Sequence, residues 1–441
     1  MLGVSLLWIA SLIVDRRSPR IPILVTVCVL WILCQGWFMA FNAKSIIDRE
    51  YLEQVAINAP FPSLPGSMDA VGSRTMMLRI TALALFFFTV IDLGQSTRWV
   101  RRLLSAIAIS GTALAAFGVW QRSSPTPFEI WPEGSKPQLT AFATFWYHGN
   151  AASLLNLAWP ASLMGAIWSF RSPRSQLLRA LWLASLGMIL TGLIVNASKA
   201  GHIIAAFMAV LFILVFLFRL RVLVSRHGWP QVIVYAVLGF AAVGALLLHA
   251  DGAFSVHRWR EWYERPGFSD SRLTTASTIL HTLPGMNLLG SGPGTFEGVF
   301  YRRAAAVDET PDVRWEFAHN DYLQYVVEYG WVGSLVWLIL WGYVLYHCFR
   351  QIWYMVRPAL EMGEYRGRRS RQRWEHSFNA MRQYYLFGAS VTMIGVLLNA
   401  MLDFPLQILS LQIYAFTVAG IIISVPKSSL AAPHVLLPEE A

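Results

Sequence analysis

The chain has 441 residues, of which 56% are hydrophobic and only 14% are charged, and its formal net charge is +10. Soluble domains carry about 25% charged residues, so this composition excludes an ordinary soluble domain. Most basic residues stand in short stretches between apolar segments, where they set membrane topology rather than form a face for nucleic acid. The three cysteines show neither metal-type spacing nor a disulfide framework.

Apolar segments long enough to cross a bilayer, which takes about 17–25 residues, recur along the chain. The sequence therefore predicts an all-α polytopic membrane protein. The first segment is short and starts at the initiator Met, which favours an N-terminus that lacks one helix. About eleven spans are predicted, near residues 2–14, 22–41, 76–93, 103–119, 149–170, 178–196, 201–218, 231–249, 331–349, 383–402 and 406–425.

Arginines cluster in every second connection between these spans. The clusters lie around residues 16–20, 98–102, 171–179, 219–226 and 350–382. The positive-inside rule predicts that these connections are cytoplasmic and that the others face the periplasm of a bacterial inner membrane. The predicted organisation is an N-terminal transmembrane bundle (1–249), a periplasmic catalytic loop (250–330), C-terminal transmembrane helices (331–425) and a disordered cytoplasmic tail (426–441).

The long loop 250–330 carries local signals of helices and turns. A helical pattern runs from Leu273 to Leu283 and stops at Pro284-Gly285. The segment Gly290-Ser-Gly-Pro-Gly294 lacks the Lys-Ser/Thr pair of a phosphate loop, which favours a tight turn close to another helix.

A second helix is predicted after His319. Asn320 is a good N-cap for this helix, and Asp321 either favours its positive end or orients His319. Gly330 is expected to end the helix before the next span.

The out-facing side is unusually rich in cations. Lys199 stands in a short turn, and seven arginines lie in the loop 250–330. One explanation is that long loops translocate regardless of their charge. The other is an anionic substrate at the membrane surface, because guanidinium groups bind phosphate oxygens through paired hydrogen bonds.

Four motifs in order resemble the O-antigen ligase and polymerase superfamily (the Wzy C-terminal domain group, WaaL-like). The most extensive is Ala318-His-Asn-Asp-Tyr-Leu-Gln-Tyr-Val-Val-Glu-Tyr-Gly-Trp-Val-Gly333. Upstream, Ser271-Arg272 is followed by Pro284 and by the glycine-rich segment ending at Phe296. Two short turns complete the resemblance, namely Asn196-Ala-Ser-Lys-Ala-Gly201 and Asp403-Phe-Pro-Leu-Gln407.

The resemblance implies a twelve-span, GT-C-like helical fold and an inverting glycosyltransferase that needs no metal and no cofactor. Its donor would be a glycan on undecaprenyl pyrophosphate, and its acceptor lipid A-core, within lipopolysaccharide biosynthesis of the cell envelope. The family's catalytic residues correspond to His319 and Arg272. The implied substrate-binding residues are Lys199, where the family has Arg, together with Arg265, Asn320, Asp321 and Tyr322.

Other functions stay open from the sequence. An O-antigen or exopolysaccharide polymerase of the same superfamily shares these motifs, and a non-catalytic partner in envelope glycan transport is a further alternative. Within enzymes, the acidic spacing of Asp48 and Glu50 is compatible with a metal-using transferase. A transporter is disfavoured because no symmetric pair of interrupted spans is apparent.

Overall fold

The computed structural model describes residues 1–48, 53–124, 141–171, 176–227, 271–283, 287–306, 315–361 and 379–424. The described chain is almost entirely helical, which confirms the predicted fold class. Its helices are α1 (Leu2–Val14), α2 (Ile23–Phe41), α3 (Ala70–Leu93), α4 (Thr97–Ser123), α5 (His148–Arg171), α6 (Gln176–Val195), α7 (Lys199–His227), α8 (Ser271–Thr282), α9 (Phe296–Ala306), α10 (Asp321–Glu361), α11 (Asn379–Asn399) and α12 (Leu409–Ile423).

Seven of these helices, α2 to α7 and α10, are long and apolar enough to cross a membrane. Two further apolar helices, α1 and α12, are shorter, with 13 and 15 residues. The predicted span 231–249 lies outside the described residues. The chain is thus a multi-pass membrane protein, while the number of crossings stays a prediction.

Helix α10 joins two predicted elements, the short helix after His319 and the span from Trp331. Gly330 interrupts it with a φ of 65° and a ψ of −171°, so the helix kinks where the sequence predicted an end. The amide side chain of Gln35 in α2 donates to the carbonyl of Tyr329 at 2.7 Å and stabilises a backbone group freed by the kink.

The glycine-rich segment 290–294 is a tight turn packed into this kink, as predicted. Its three glycines have φ values of 79°, 105° and 72°. The backbone N–H groups of Ser291 and Gly292 donate to the carbonyls of Val327 and Glu328 at 3.0 and 2.9 Å. A Cβ on Gly290 would lie 2.3 Å from the backbone nitrogen of Gly330, so only glycine fits there.

A short β-hairpin in the connection between α2 and α3 was not predicted. Strands β1 (Ser45–Ile47) and β2 (Gln54–Ala56) pair antiparallel, with Ile46 opposite Val55. The Ile47 side chain packs against Gly298 of α9. The hairpin therefore connects the first part of the bundle with the predicted catalytic loop.

Helix α5 forms the centre of the bundle and packs against α4, α6, α7 and α11. In the most apolar stretch of α5, 83% of the residues are buried, whereas in the corresponding stretches of the other candidate membrane spans 22–44% are buried. Small residues permit this packing, because a Cβ on Gly111 would meet the Ala158 methyl at 2.2 Å. Helices before and after the loop 250–330 share one core, so both halves of the chain position the same helix ends.

The helix ends gather at two opposite ends of the bundle. At one, called the site end, α3, α5, α7, α10 and α12 begin and α2, α4, α6 and α11 finish. At the other, called the arginine-rich end, Arg382 donates to the carbonyls of Gly94 and Gln95 at 2.7 Å each, and Arg17 pairs with Asp92. This arrangement follows the alternation of arginines along the sequence.

Candidate functional site

Four side chains from separate parts of the chain meet at the site end. Tyr147 precedes α5, Arg272 lies in the first turn of α8, His319 precedes α10, and Asp403 lies in the turn between α11 and α12. Each stands at or beside a helix terminus, so the bundle itself sets their positions. The structure therefore brings together the two predicted catalytic residues with two that the sequence did not single out.

Asp403 is the central acceptor of the group. Its side chain is only 2% exposed, and its Oδ1 lies 3.2 Å from Nδ1 of His319. The angle at Nδ1 falls outside good hydrogen-bond geometry, so the contact is mainly electrostatic. The backbone N–H of Asp403 donates to the carbonyl of Asn399 at 2.8 Å, which continues α11 into the turn and fixes the carboxylate.

Tyr147 links the carboxylate to the predicted arginine. Its hydroxyl donates to Oδ2 of Asp403 at 3.0 Å and accepts from a guanidinium nitrogen of Arg272. The same guanidinium lies 3.9 Å from Oδ2 of Asp403 and also donates to the carbonyl of Leu402 at 3.2 Å. Arg272 remains 30% exposed, so its cationic group is both fixed by the site and accessible to an anion.

His319 has a left-handed backbone conformation, with φ at 49°, which residues other than glycine rarely adopt. Such a conformation costs about 1–3 kcal/mol and is concentrated at functional sites. The following helix stabilises it, because Asn320 Oδ1 accepts from the N–H groups of Tyr322 and Leu323 at 3.1 Å each. The prediction of Asn320 as N-cap is confirmed.

Aromatic rings surround the imidazole. Trp315 and Phe404 contact it edge to face, with ring centroids 4.7 and 4.6 Å away. Phe404 stacks on Phe317 and on Tyr147, at 4.6 and 5.5 Å. Only 14% of the His319 side chain is exposed, so a reacting group reaches the imidazole along a restricted path.

Asp321 lies in the first turn of α10, at the positive end of the helix as predicted, but the predicted contact with His319 was wrong. Its fully buried carboxylate accepts instead from the N–H of Leu406 at 2.9 Å and from the side chain of Gln407 at 3.0 Å. The carboxylate that contacts His319 is Asp403. Nearby, the Tyr322 hydroxyl donates to the carbonyl of Leu397 at 2.9 Å. In this structure Asp321 and Tyr322 hold the helix ends together.

The turn with Lys199 lies beside the site. Asn196 donates through Nδ2 to the carbonyl of His148 at 3.2 Å, which attaches this turn to the residue after Tyr147. Close packing of Gly201 against Ala152 brings the start of α7 against α5. Lys199 is partly exposed there. The predicted substrate contact of Arg265 lies outside the described residues.

The loop helices are tied to each other by a further arginine. Arg303 of α9 donates to the carbonyl of Thr282, the last residue of α8, at 3.0 Å. Burial lowers the pKa of Arg303 below its usual range, although the group stays charged at neutral pH. This contact fixes the end of the helix that carries Arg272.

Two ionisable residues below the site, the half-buried Arg79 and the buried Glu328, were not anticipated from the sequence. Arg79 of α3 donates to the side chain of Gln412 at 2.8 Å and to the carbonyl of Gln407. Glu328 of α10, only 3% exposed, accepts from the N–H of Gly294 at 2.9 Å and from Gln324 at 3.0 Å. Both residues join the glycine turn and the α12 start to the bundle.

Metal ligands are not grouped in the described part of the chain. No three His, Cys, Asp or Glu side chains come together there. Glu50, the second member of the predicted acidic pair, lies outside the described residues. Metal independence stays a prediction.

The apolar helices and the polar, cation-containing group of side chains at one end define a multi-pass membrane protein with a candidate site at the ends of its helices. Residues 180–338 match the family model described as O-antigen ligase (Wzy_C), which is the family that the motifs resemble. This match includes Lys199, Arg272 and His319, while Tyr147 and Asp403 lie outside it. No curated protein matches the chain significantly.

Proposed function

We propose that the chain is an O-antigen ligase-like glycosyltransferase. It moves a glycan from undecaprenyl pyrophosphate to a hydroxyl of lipid A-core on the periplasmic side of the inner membrane. The observation that carries the proposal is the convergence of Arg272, His319 and Asp403 at one end of the bundle, within and beside an O-antigen ligase domain. The arginine-rich opposite end supports a periplasmic orientation of this site.

In the proposed reaction the acceptor oxygen forms a bond to the anomeric carbon of the donor sugar. The bond between that carbon and the pyrophosphate oxygen breaks, and its electron pair leaves with undecaprenyl pyrophosphate. The acceptor proton moves to Nε2 of His319 and then to water. Attack opposite the leaving group inverts the anomeric configuration.

Asp403 acts as a positioning residue for this step. Its carboxylate faces Nδ1 of His319, so Nδ1 carries a proton and Nε2 is left as the base. The negative charge also stabilises the imidazolium that forms when the proton is taken up. A positioned general base contributes about 10²–10⁴-fold to a rate.

Arg272 stabilises the negative charge that develops on the leaving pyrophosphate. Its guanidinium is held by the Tyr147 hydroxyl and the Leu402 carbonyl and is still partly exposed. A donor group fixed before the reaction needs no reorganisation in the transition state, which makes its electrostatic effect large. Lys199, beside the start of α5, adds a second positive charge without the paired hydrogen bonds of arginine.

Purified protein in detergent, supplied with a polyprenyl-pyrophosphate glycan and lipid A-core, tests the proposal. We expect transfer by the wild type and a loss of about 10²-fold or more in His319→Ala and Arg272→Ala. Arg302→Ala is the matched control, because Arg302 lies in the same loop on the exposed face of α9. Full activity in both site variants would overturn the proposed mechanism, and no transfer by the wild type would favour a non-catalytic partner.

A deletion strain distinguishes ligase from polymerase. Loss of a ligase leaves lipid-linked polymer and bare lipid A-core, which a gel resolves. Loss of a polymerase leaves core that carries a single repeat. If the deletion strain makes lipid A-core that carries a single repeat, the protein is a polymerase of the same superfamily and not a ligase.

A further inference from the structure

A pocket at the arginine-rich end is lined by arginines that have no part in the proposed reaction. It lies between the end of α1 and the end of α3 and has a volume of about 780 Å³, counting the solvent at its mouth. Its lining residues are Arg16, Arg17, Ser18, Arg20, Asp92 and Gln95. We propose that this pocket binds the head group of an anionic phospholipid.

A buried carboxylate organises the pocket. Asp92 accepts from the indole of Trp8 at 2.8 Å, from the N–H of Arg20 at 3.2 Å and from both terminal nitrogens of Arg17 at 2.8 and 3.1 Å. Its charge is neutralised by Arg17, which has a second, longer contact of 3.8 Å with the exposed Asp15. Asp92 therefore fixes the segment of residues 16–20 after α1, and its neutralised charge does not repel an anion.

Two guanidinium groups remain for a ligand. In the part of the chain that the structure describes, no carboxylate lies within 4.0 Å of Arg16 or Arg20. The guanidinium of Arg20 makes a weak contact with the side-chain oxygen of Gln95 at 3.5 Å. The Ser18 hydroxyl is exposed between them. Two arginines beside a hydroxyl form the donor set that phosphate oxygens prefer.

The backbone at Arg16 gives an independent indication that its side chain is used. The N–H groups of Arg16 and Arg17 donate to the carbonyls of Ile13 and Leu12 at 3.2 and 3.1 Å, which is the Schellman arrangement at a helix end. Arg16 occupies the left-handed position of this motif, with φ at 49°. Glycine is the residue that this position favours, so the arginine is kept at a cost to the fold.

The surroundings favour a lipid over a soluble anion. Ile13, Val14 and Ile23 flank the pocket and are 71%, 80% and 82% exposed, so acyl chains have an apolar surface beside the cations. At the same end Arg101 lies over Trp168 and Arg102 over Trp99, at 4.9 and 5.2 Å. Tryptophan and arginine together are typical of the head-group layer. Basic pockets between helices on this face bind anionic lipid head groups in other membrane proteins.

Native mass spectrometry of the full chain in neutral detergent tests the proposal. Phosphatidylglycerol is titrated against phosphatidylcholine with the same acyl chains. We expect one phosphatidylglycerol to bind more tightly than phosphatidylcholine, and Arg16→Gly with Arg20→Gln to weaken it about 25-fold, at about fivefold for each cation near the surface. The matched control, Arg98→Gln with Arg102→Gln, removes the same charge from the same end, and it should change binding less than about twofold because neither side chain lines the pocket.

Arg16→Gly separates binding from folding. Glycine suits the left-handed position, so the melting temperature of this single variant should stay the same or rise while phosphatidylglycerol binding falls about fivefold. Unchanged binding in Arg16→Gly, or equal binding of the two lipids, would overturn the proposal. Displacement of phosphatidylglycerol by millimolar inorganic phosphate would assign the pocket to a free anion and overturn the lipid assignment.

Discussion

The exchange Asp403→Asn is the sharpest test of the proposed arrangement around His319. Asparagine keeps the shape and the backbone contact of Asp403 with Asn399. It removes the negative charge that faces Nδ1 at 3.2 Å. The variant therefore changes the electrostatics of the site while leaving the turn between α11 and α12 in place.

The expected loss follows from the distance and the burial. Two unit charges 3.2 Å apart interact by about 5 kcal/mol at an effective dielectric of about 20, which is an upper limit. Hydrogen bonds to charged groups contribute about 1.5–3 kcal/mol in mutational series, and we take this range for the contact between Asp403 and the imidazolium that forms in the reaction. We expect kcat to fall about 10- to 150-fold, with little change in the KM of the donor, because the imidazolium forms only during the reaction.

Transfer of glycan by the purified variant, measured at saturating and limiting donor, separates kcat from KM. A double-mutant cycle with His319→Ala tests the coupling between Asp403 and His319. The charge of Asp403 matters to the proton transfer only while His319 is present. We expect the double variant to be no slower than His319→Ala. Losses that multiply in the double variant would refute the role of Asp403 as positioning residue.

Asp69→Asn is the matched control for this experiment. Asp69 is also a buried aspartate at the site end, and it caps α3 by accepting from the N–H of Val71 at 3.1 Å. Asparagine caps helices about as well as aspartate. Wild-type activity in Asp69→Asn would show that loss of a buried carboxylate at this end is harmless by itself.

Three further variants test the remaining contacts. Tyr147→Phe removes the hydroxyl between the arginine and the carboxylate, and we expect a loss of about 2- to 12-fold in transfer rate, measured in the same assay. Asp321→Ala leaves two buried donors without an acceptor, so the free energy of unfolding should fall by about 2–6 kcal/mol, seen as a lower melting temperature in detergent. Gly290→Ala should also lower the melting temperature, because its Cβ meets the backbone of Gly330, whereas Gly342→Ala, with nothing within 4 Å, should not.

The helical fold was predictable because its signals are local and strong. Apolar length set the helices, and both predicted glycine features, the turn at 290–294 and the interruption at Gly330, came from backbone conformations that only glycine adopts easily. The hairpin at 45–47 and 54–56 was missed because strands of three residues leave almost no alternation to detect. The boundaries proposed for the domains stay a prediction.

The site was only partly predictable, because it is assembled from distant segments. The sequence motifs identified Arg272 and His319, and Asp403 was noted as part of a turn without a role. Its pairing with His319 depends on the approach of the α11–α12 turn to the start of α10, which no spacing in the sequence encodes. Tyr147 lies in an aromatic run, Phe145-Trp146-Tyr147, that carried no signal of a site. Arg79 and Glu328 lie within apolar helices, so nothing in the sequence indicated their contacts near the site.

The start of α10 is joined to the last residues of α11 and to the turn after it by hydrogen bonds that involve both backbone and side-chain atoms. The N–H of Asp321 donates to the carbonyl of Ala400 at 2.8 Å, and Asn320 donates through Nδ2 to the carbonyl of Met401 at 3.1 Å. His319 and Asp403 are therefore carried by one unit, to which the side chains of Asp321 and Tyr322 also contribute. Under the proposed function, sequence change in the neighbouring loops would alter which sugar fits while leaving this pair intact, so the fold would separate the evolution of specificity from that of the chemical step.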